Sequence, residues 1–280
     1  MKLSFNMNSF KTLRTYKKNI DAHSKNINNI STGKKINSAK DNPNRISSLG
    51  NFEREIRGQQ ASRRNVQDSV SMIQSADSVM DSVTNRISRI RELAVGLGSA
   101  SMSDDEKAIV QNEINTLIDG MDYEVKNFSF NGTNIIGDEK VTDNSKNNTI
   151  QFLSTGNAGE FSEIPVYNLT SEGLGLDGLD VMNSDIDSIL GTLDNAMSQV
   201  LGARSKLGAI QNNFEDKVNQ SESLEETLVG AKSKIEDADI AEEMIELTKN
   251  LILTEANIKN MNKTIYMPEE MVSIIGKLYK

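Results

Sequence analysis

Residues 73–97, IQSADSVMDSVTNRISRIRELAVGL, carry the clearest hydrophobic period in the chain. Apolar side chains alternate in steps of three and four residues at Ile73, Ala76, Met80, Val83, Ile87, Ile90, Ala94 and Leu97. That spacing is typical of a helix with one apolar seam, as in coiled coils. Val66 and Val70 extend the seam upstream. We therefore predict a helix from about residue 44 to about residue 100, which would be roughly 80 Å long.

The N-terminal segment repeats this pattern over a shorter length. Its seam positions, one of them a histidine, are Leu13, Tyr16, Ile20, His23, Ile27 and Ile30. They predict a first helix that ends at Thr32 and Gly33, because glycine readily takes the left-handed conformation that closes a helix. Pro43 is expected to break the chain before the long helix, because proline disfavours helix at the residue before it.

A third helix is predicted after the long one. Ser103 and Glu106 have the spacing of a capping box, in which the two residues satisfy each other's free backbone N–H groups. The apolar stripe that follows consists of Val110, Ile114, Leu117, Met121 and Val125.

The C-terminal half mirrors the N-terminal half. A long seam is formed by Ile186, Ile189, Leu193, Ala196, Val200, Ala203, Leu207, Ile210 and Phe214. A last helix carries Ile240, Met244, Leu247, Leu251, Ile258, Met261 and Ile265, and we expect Pro268 to interrupt it.

Between these halves, residues 128–179 are rich in Gly, Ser, Asn and Asp. Short apolar runs at 149–153 and 164–167, and the turn pair Asn131-Gly132, predict strands and hairpin turns there. The predicted fold is therefore mainly α: a long coiled-coil-like helical bundle with paired terminal helices and a small β-hairpin region in the middle of the chain.

This pattern predicts four segments. Residues 1–43 and 236–280 are the two parts of a terminal-helix domain, and residues 44–182 and 183–235 are the two parts of a rod-like domain. A pair of terminal helices has few apolar partners within one chain. We therefore expect it to complete its packing against other copies of the chain.

Composition excludes several classes of function. The 280 residues include 31 Lys and Arg against 40 Asp and Glu, a net charge of −9 that disfavours nucleic acid and anionic lipid as partners. No apolar stretch is long enough for membrane insertion, and no h-region follows the N-terminus, so we expect no secretory signal peptide. No cysteine is present.

Catalytic and cofactor motifs are not found either. The single histidine, His23, has no cysteine or second histidine with which to build a common metal site. We interpret it as a residue packed between helices. The acidic clusters, such as Asp104-Asp105-Glu106, lack the alternating pattern of a calcium loop and fit helix starts and solvent-facing surfaces. The sequence predicts no enzyme, no metal and no cofactor.

Six local motifs in colinear order resemble those of bacterial flagellins. They are STGKKINSAKD (31–41), QASRRNVQDSV (60–70), RIRELAV (89–95), FNG (130–132), ARSKLGAIQNNF (203–214) and AKSKIEDAD (231–239). The resemblance covers about residues 1–135 and 185–280. Two departures are Pro43, which stiffens the linker after Asp41, and a C-terminus that runs a few residues beyond the usual ending.

The resemblance implies a structural subunit of the flagellar filament. Its terminal helices would form the inner tube, its rod-like domain the outer tube, and the flagellar type III apparatus would export it to the extracellular filament. Implied partners are other copies of the chain, an export chaperone on the C-terminal helix, and the filament cap and hook-junction proteins.

A hook–filament junction protein is the alternative within the flagellum. A flagellin with a catalytic insert is not favoured, because such inserts need a metal-binding motif with two histidines and this sequence has one. A generic coiled-coil adaptor would not explain the six ordered motifs.

A host Toll-like receptor for flagellin is a further implied partner. Matched motif by motif, the receptor-contacting arginine, leucine and glutamate of the family fall on Arg89, Leu93 and Glu113. The simpler alternative is that Leu93 packs in the bundle and the two charged side chains solvate its surface.

Overall fold

The computed structural model describes residues 7–97, 103–138, 141, 144, 148–153, 161–181 and 185–278. Within these ranges it contains six helices and one two-stranded sheet. In chain order the elements are α1 (Met7–Thr32), α2 (Pro43–Leu97), α3 (Asp104–Asn127), β1 (Thr149–Leu153), β2 (Phe161–Pro165), α4 (Ser171–Leu174), α5 (Ile186–Glu236) and α6 (Ile240–Leu278). The predicted fold class is confirmed.

The chain divides into two compact units. One unit consists of Met1–Arg54 and Thr227–Lys280, and the other of Glu55–Glu226. Each unit therefore combines segments from both halves of the sequence.

The unit of residues 55–226 holds the apolar core. The predicted seam of α2 is buried at Val66 and from Ile73 to Leu97, Val70 is partly buried, and the central residues Met80, Val83, Ile87 and Ile90 are fully enclosed. The α3 and α5 seams pack into the same core, with Ile114, Met121, Leu193 and Val200 among the enclosed residues. Apolar residues three and four positions apart on these three helices thus form a large part of the core, to which the middle block adds residues such as Ile136 and Leu169.

Short sequence motifs mark the end of α1 and the starts of α2 and α3. Ser103 and Glu106 form the predicted capping box at the start of α3. Gly33 closes α1 with a φ of +70°. The Asn42 side chain accepts a hydrogen bond from the Arg45 N–H at 3.2 Å. Pro43 is the first residue of α2, where its missing N–H has no helical partner to lose.

In the described part of the middle block, the strands are 149–153, as predicted, and 161–165, which begins before the predicted run at 164–167. β1 and β2 pair antiparallel, with Thr149 opposite Pro165 and Leu153 opposite Phe161. Phe130 and Thr133 bridge across the predicted turn, where Asn131 and Gly132 both have positive φ. The block also contains α4, which the sequence analysis assigned to strands and turns. Thr170 caps this short helix and Gly175 closes it.

Two predictions about the terminal helices are wrong. Pro268 does not end α6, which runs on to Leu278; a proline removes one N–H donor, and the remaining backbone groups on either side can still pair within the helix. The apolar residues of α1 also do not form one seam with α6. Leu13, Ile20 and Ile27 are exposed, because asparagines occupy the inner face instead.

Candidate assembly and recognition surfaces

α1 and α6 pack against each other within the terminal unit, and their shared face is polar. Among the side chains that the structure describes, the buried residues of α1 are Asn19, Asn26 and Asn29, and that of α6 is Asn250. Asn29 donates from Nδ2 to Glu243 Oε1 at 2.9 Å, which fixes the antiparallel register of the two helices. The apolar period of the sequence did not identify these asparagines. Their signal was the seven-residue step from Asn19 to Asn26 and from Asn250 to Asn257, which matches the coiled-coil repeat.

A backbone clamp closes one end of this pair. Lys34 and Asp237 form an antiparallel bridge, in which the Lys35 N–H donates to the Glu236 carbonyl at 2.7 Å and the Ala238 N–H to the Gly33 carbonyl at 2.9 Å. Lys34 Nζ also contacts Glu236 Oε1 at 2.6 Å, and that hydrogen bond raises the pKa of the lysine. The segment after α1 is thereby fixed to the segment before α6.

The outer surface of the pair has an apolar side, and on the opposite side α1 carries three lysines. Leu13, Ile20 and Ile27 each directly follow an inward-facing residue of α1, and Met244, Leu251 and Ile258 do the same on α6. In two antiparallel right-handed helices, such positions fall on the same side of the pair. Lys11, Lys18 and Lys25 each directly precede an inward-facing residue, so they lie on the opposite side.

Exposure separates the predicted terminal-coil residues into two groups. Tyr16, His23, Ile30, Leu247 and Met261 are half-buried. The six residues of the apolar side are 38% to 51% exposed. Ile265 lies outside the residues whose side chains are described. The half-buried residues therefore border the partner helix of the same chain. The six residues of the apolar side are not covered by that chain.

The predicted receptor residues lie together on the unit of residues 55–226. Arg89 on α2 contacts Glu113 on α3 at 3.3 Å and Glu92 at 3.0 Å. Its pKa is raised by hydrogen bonds to Glu92 and to Glu113. Leu93, one turn after Arg89, is half-buried against the core. The arrangement presents a positioned guanidinium beside a carboxylate and the edge of an apolar side chain.

The described residues offer no catalytic or metal-binding constellation. No group of three or more His, Cys, Asp or Glu within them is arranged to hold a metal ion. His23 is half-buried in α1. Asp104, Asp105 and Glu106 occupy the first turn of α3, where acidic side chains complement the helix dipole. Among the described helices, none is long and apolar enough to cross a membrane.

Family comparisons match both ends of the chain. The bacterial flagellin N-terminal helical region matches residues 3–140, and the bacterial flagellin C-terminal helical region matches residues 190–275. A 30.7 kDa flagellar filament core protein of Treponema maltophilum is 30% identical, covering 92% of this chain and 94% of the relative. Bacillus subtilis flagellin is 29% identical, covering 98% of this chain and 100% of the relative.

Solved structures share the fold. A putative flagellar hook-associated protein from Vibrio parahaemolyticus aligns with a TM-score of 0.59 at 15% identity, over 70% of this chain and 100% of that one. At that identity the likeness concerns the fold alone and does not favour the junction-protein alternative. The nearly full-length sequence matches are to filament proteins, which are structural and not enzymes. The chain belongs to the bacterial flagellin family, whose members polymerise into the flagellar filament.

Proposed function

We propose that the chain forms a filament used for swimming, and that other copies of the chain cover the apolar side of its α1–α6 pair. The flagellar type III apparatus would export it unfolded, and the absence of cysteine from the sequence means that no disulfide would hinder threading.

The observation that carries the proposal is the arrangement of Leu13, Ile20 and Ile27 with Met244, Leu251 and Ile258. These six residues repeat every seven positions on both helices.

The register supports one continuous surface. With Asn29 beside Glu243, the seven-residue steps put Ile27 level with Met244, Ile20 with Leu251 and Leu13 with Ile258. Three such levels on one side, with lysines on the other, give the pair a defined orientation toward a neighbouring copy. Burial of one large aliphatic side chain contributes about 1.5–3 kcal/mol, so a repeated contact of this kind would stabilise a polymer strongly.

Seeded polymerisation tests this surface. Wild-type seeds are mixed with monomer carrying Ile20→Ser on the apolar side, or Lys18→Ser on the opposite side of the same helix. We expect the wild type and Lys18→Ser to grow filaments of micrometre length, measured by sedimentation and electron microscopy. Ile20→Ser should grow them much more slowly, because each contact between copies loses an aliphatic side chain.

Two results would contradict the proposal. Growth of Ile20→Ser at the wild-type rate would show that other copies do not cover this side. Wild-type assembly that stops after a few subunits would instead favour a hook–filament junction protein.

An export chaperone is the proposed partner of α6 before assembly. Met244, Ile245, Leu251 and Ile252 leave much of this helix apolar and exposed. Such a helix suits a groove that accepts an amphipathic partner. Chaperone binding should be lost when residues 240–280 are deleted, and unchanged binding would rule out this site. The filament cap and hook-junction proteins would contact the chain at the two ends of the filament.

A host Toll-like receptor is the proposed partner of Arg89, Leu93 and Glu113. The side chain of Arg89 is about half exposed, and the planar fork of its guanidinium suits paired hydrogen bonds to a receptor carboxylate. Arg91 provides a matched control, since it lies on the same helix, is similarly exposed and has its own partner in Asp194 at 3.0 Å.

Reporter cells that carry the receptor test this assignment with monomeric protein. Arg89→Ala should reduce potency by roughly 30-fold, which corresponds to a hot-spot loss of about 2 kcal/mol. Arg91→Ala should remain close to wild type. Wild-type protein without any signal, or equal potency of Arg89→Ala and wild type, would contradict receptor recognition through these residues.

A further inference from the structure

Charge is divided unevenly along the chain. Residues 1–54 contain eleven Lys and Arg against three Asp and Glu, a net charge of +8. Residues 55–226 contain thirteen Lys and Arg against twenty-eight Asp and Glu, a net charge of −15. Charges more than about 10 Å from a surface are largely screened at physiological salt. An anionic partner that the net charge of the whole chain disfavours is therefore still attracted by the N-terminal segment alone.

Helix α1 has a basic side next to its apolar row. It contains a single acidic residue, Asp21, and five basic residues, all of them exposed: Lys11, Arg14, Lys17, Lys18 and Lys25. Lys17 lies four residues after Leu13 and three before Ile20, so it borders the apolar row on the helix surface. Arg14 and Lys18 lie farther around the helix from that row than Lys17 does. The helix is thus amphipathic, with its positive charge on the polar side.

The apolar row of α1 is available in the free chain. Leu13, Ile20 and Ile27 are exposed even where α1 packs against α6, so they are also uncovered in a chain whose terminal helices are apart. Phe10, which is exposed as well, extends this apolar surface toward the start of the helix. Large apolar side chains gain free energy when they leave water.

Helix α6 provides a comparison within the same chain. It exposes a similar row, Met244, Leu251 and Ile258. Residues 240–278, however, contain four Lys and Arg against six Asp and Glu. Both helices therefore expose apolar residues, and only α1 combines them with an excess of positive charge.

We propose that α1 of the free chain binds an anionic lipid surface, with its apolar row among the acyl chains and its basic residues at the headgroups. Helices of this composition lie in the plane of a membrane and do not span it. Lipid is favoured over nucleic acid, because the apolar row would remain in water on a polyphosphate chain. Lipid and other copies cannot cover the same row at once, so lipid binding belongs to the chain before it polymerises.

Vesicle co-sedimentation with full-length monomer tests this proposal. The vesicles contain phosphatidylcholine alone or equal parts of phosphatidylcholine and phosphatidylglycerol, and circular dichroism follows the helix content. Wild type should bind the anionic vesicles, gain helix on binding and dissociate as salt is raised. A variant with Arg14→Gln, Lys17→Gln and Lys18→Gln should bind roughly 10- to 100-fold more weakly, because each basic residue near an anionic surface contributes up to about fivefold.

Two controls separate a specific contact from general effects of charge and hydrophobicity. A variant with Lys206→Gln, Lys234→Gln and Lys259→Gln makes the same change in net charge at three exposed lysines outside α1, and it should bind like wild type. Ile20→Ser should weaken binding about tenfold or more, because one aliphatic side chain no longer enters the lipid. Leu201→Ser removes an exposed aliphatic side chain from α5 and should have no effect.

Three results would overturn the proposal. They are equal binding to the two kinds of vesicle, equal binding by the α1 variant and its lysine control, and tighter binding of an RNA oligomer through Arg14, Lys17 and Lys18. The last would make a nucleic acid the partner. The experiment contains no filament seeds, so it does not depend on the filament contacts proposed above. Failure of wild-type monomer to grow on seeds would contradict those contacts and leave the lipid result unaffected.

Discussion

Tyr167 shows how one buried polar atom lowers stability at the residue scale. Its side chain is 5% exposed, and its hydroxyl has no hydrogen-bond partner among the described residues. Burial of the phenol raises its pKa. The backbone N–H of the same residue donates to the Ile135 carbonyl at 2.8 Å, so the main chain is held while the side-chain hydroxyl is not satisfied.

We therefore predict that Tyr167→Phe stabilises the protein. Removal of an unsatisfied buried hydroxyl should raise the free energy of unfolding by about 1 kcal/mol, since the ring keeps its packing. Denaturant unfolding followed by circular dichroism measures this change. Tyr123→Phe is the control, because that side chain is 71% exposed and its hydroxyl is hydrated in both states. A Tyr167→Phe variant that is less stable than wild type would mean that the hydroxyl has a partner in solution.

At the scale of elements, a close contact between α2 and α3 constrains one glycine. The Arg86 guanidinium reaches across to Glu124, which also accepts a hydrogen bond from Ser82 at 2.6 Å. A Cβ atom added at Gly120 would lie 2.7 Å from Nη1 of Arg86. Gly120 thus leaves room for the side chain that ties the two helices together.

This contact predicts opposite outcomes for two glycine-to-alanine changes in helices. Gly202→Ala in α5 should stabilise the protein by about 0.5–1 kcal/mol, because alanine favours helix and nothing lies within 4 Å of the new methyl group. Gly120→Ala should give no such gain, because it displaces Arg86 from Glu124. Thermal unfolding of both variants tests the pair, and equal stabilisation would show that Arg86 moves aside freely.

Sequence periodicity predicted the packing of a helix best where the helices in contact belong to the same chain. The seams of α2, α3 and α5 were predicted from a single three- and four-residue period, and they pack as one core. On α1 the same period indicated Leu13, Ile20 and Ile27, and it could not say which molecule would cover them. Periodicity identifies an apolar stripe and not its partner. Asparagine is an uncommon seam residue, so composition alone gave no reason to place Asn26 inside.

The two units of the molecule are stabilised in different ways. Residues 55–226 enclose side chains such as Ile87, Met121 and Leu193 completely. The terminal unit buries asparagines between α1 and α6 and leaves Leu13, Ile20, Ile27, Met244, Leu251 and Ile258 of these helices exposed. Hydrophobic burial is the dominant stabilising term in folding, so the terminal unit gains less from it within one chain than the other unit does.

From this difference we predict that the isolated protein loses its ends first. Limited proteolysis of the monomer should remove about residues 1–40 and 240–280 before it cuts the rest, because α1 and α6 open locally at low free energy. In the filament, copies that cover Ile20 and Leu251 would raise that free energy, and the same sites should become resistant. Mass spectrometry of the first fragments identifies the cuts, with monomer and filament treated at equal protein and protease concentrations. Equal resistance of the two states would mean that the polar seam alone holds the helices closed, and that assembly adds nothing to their stability.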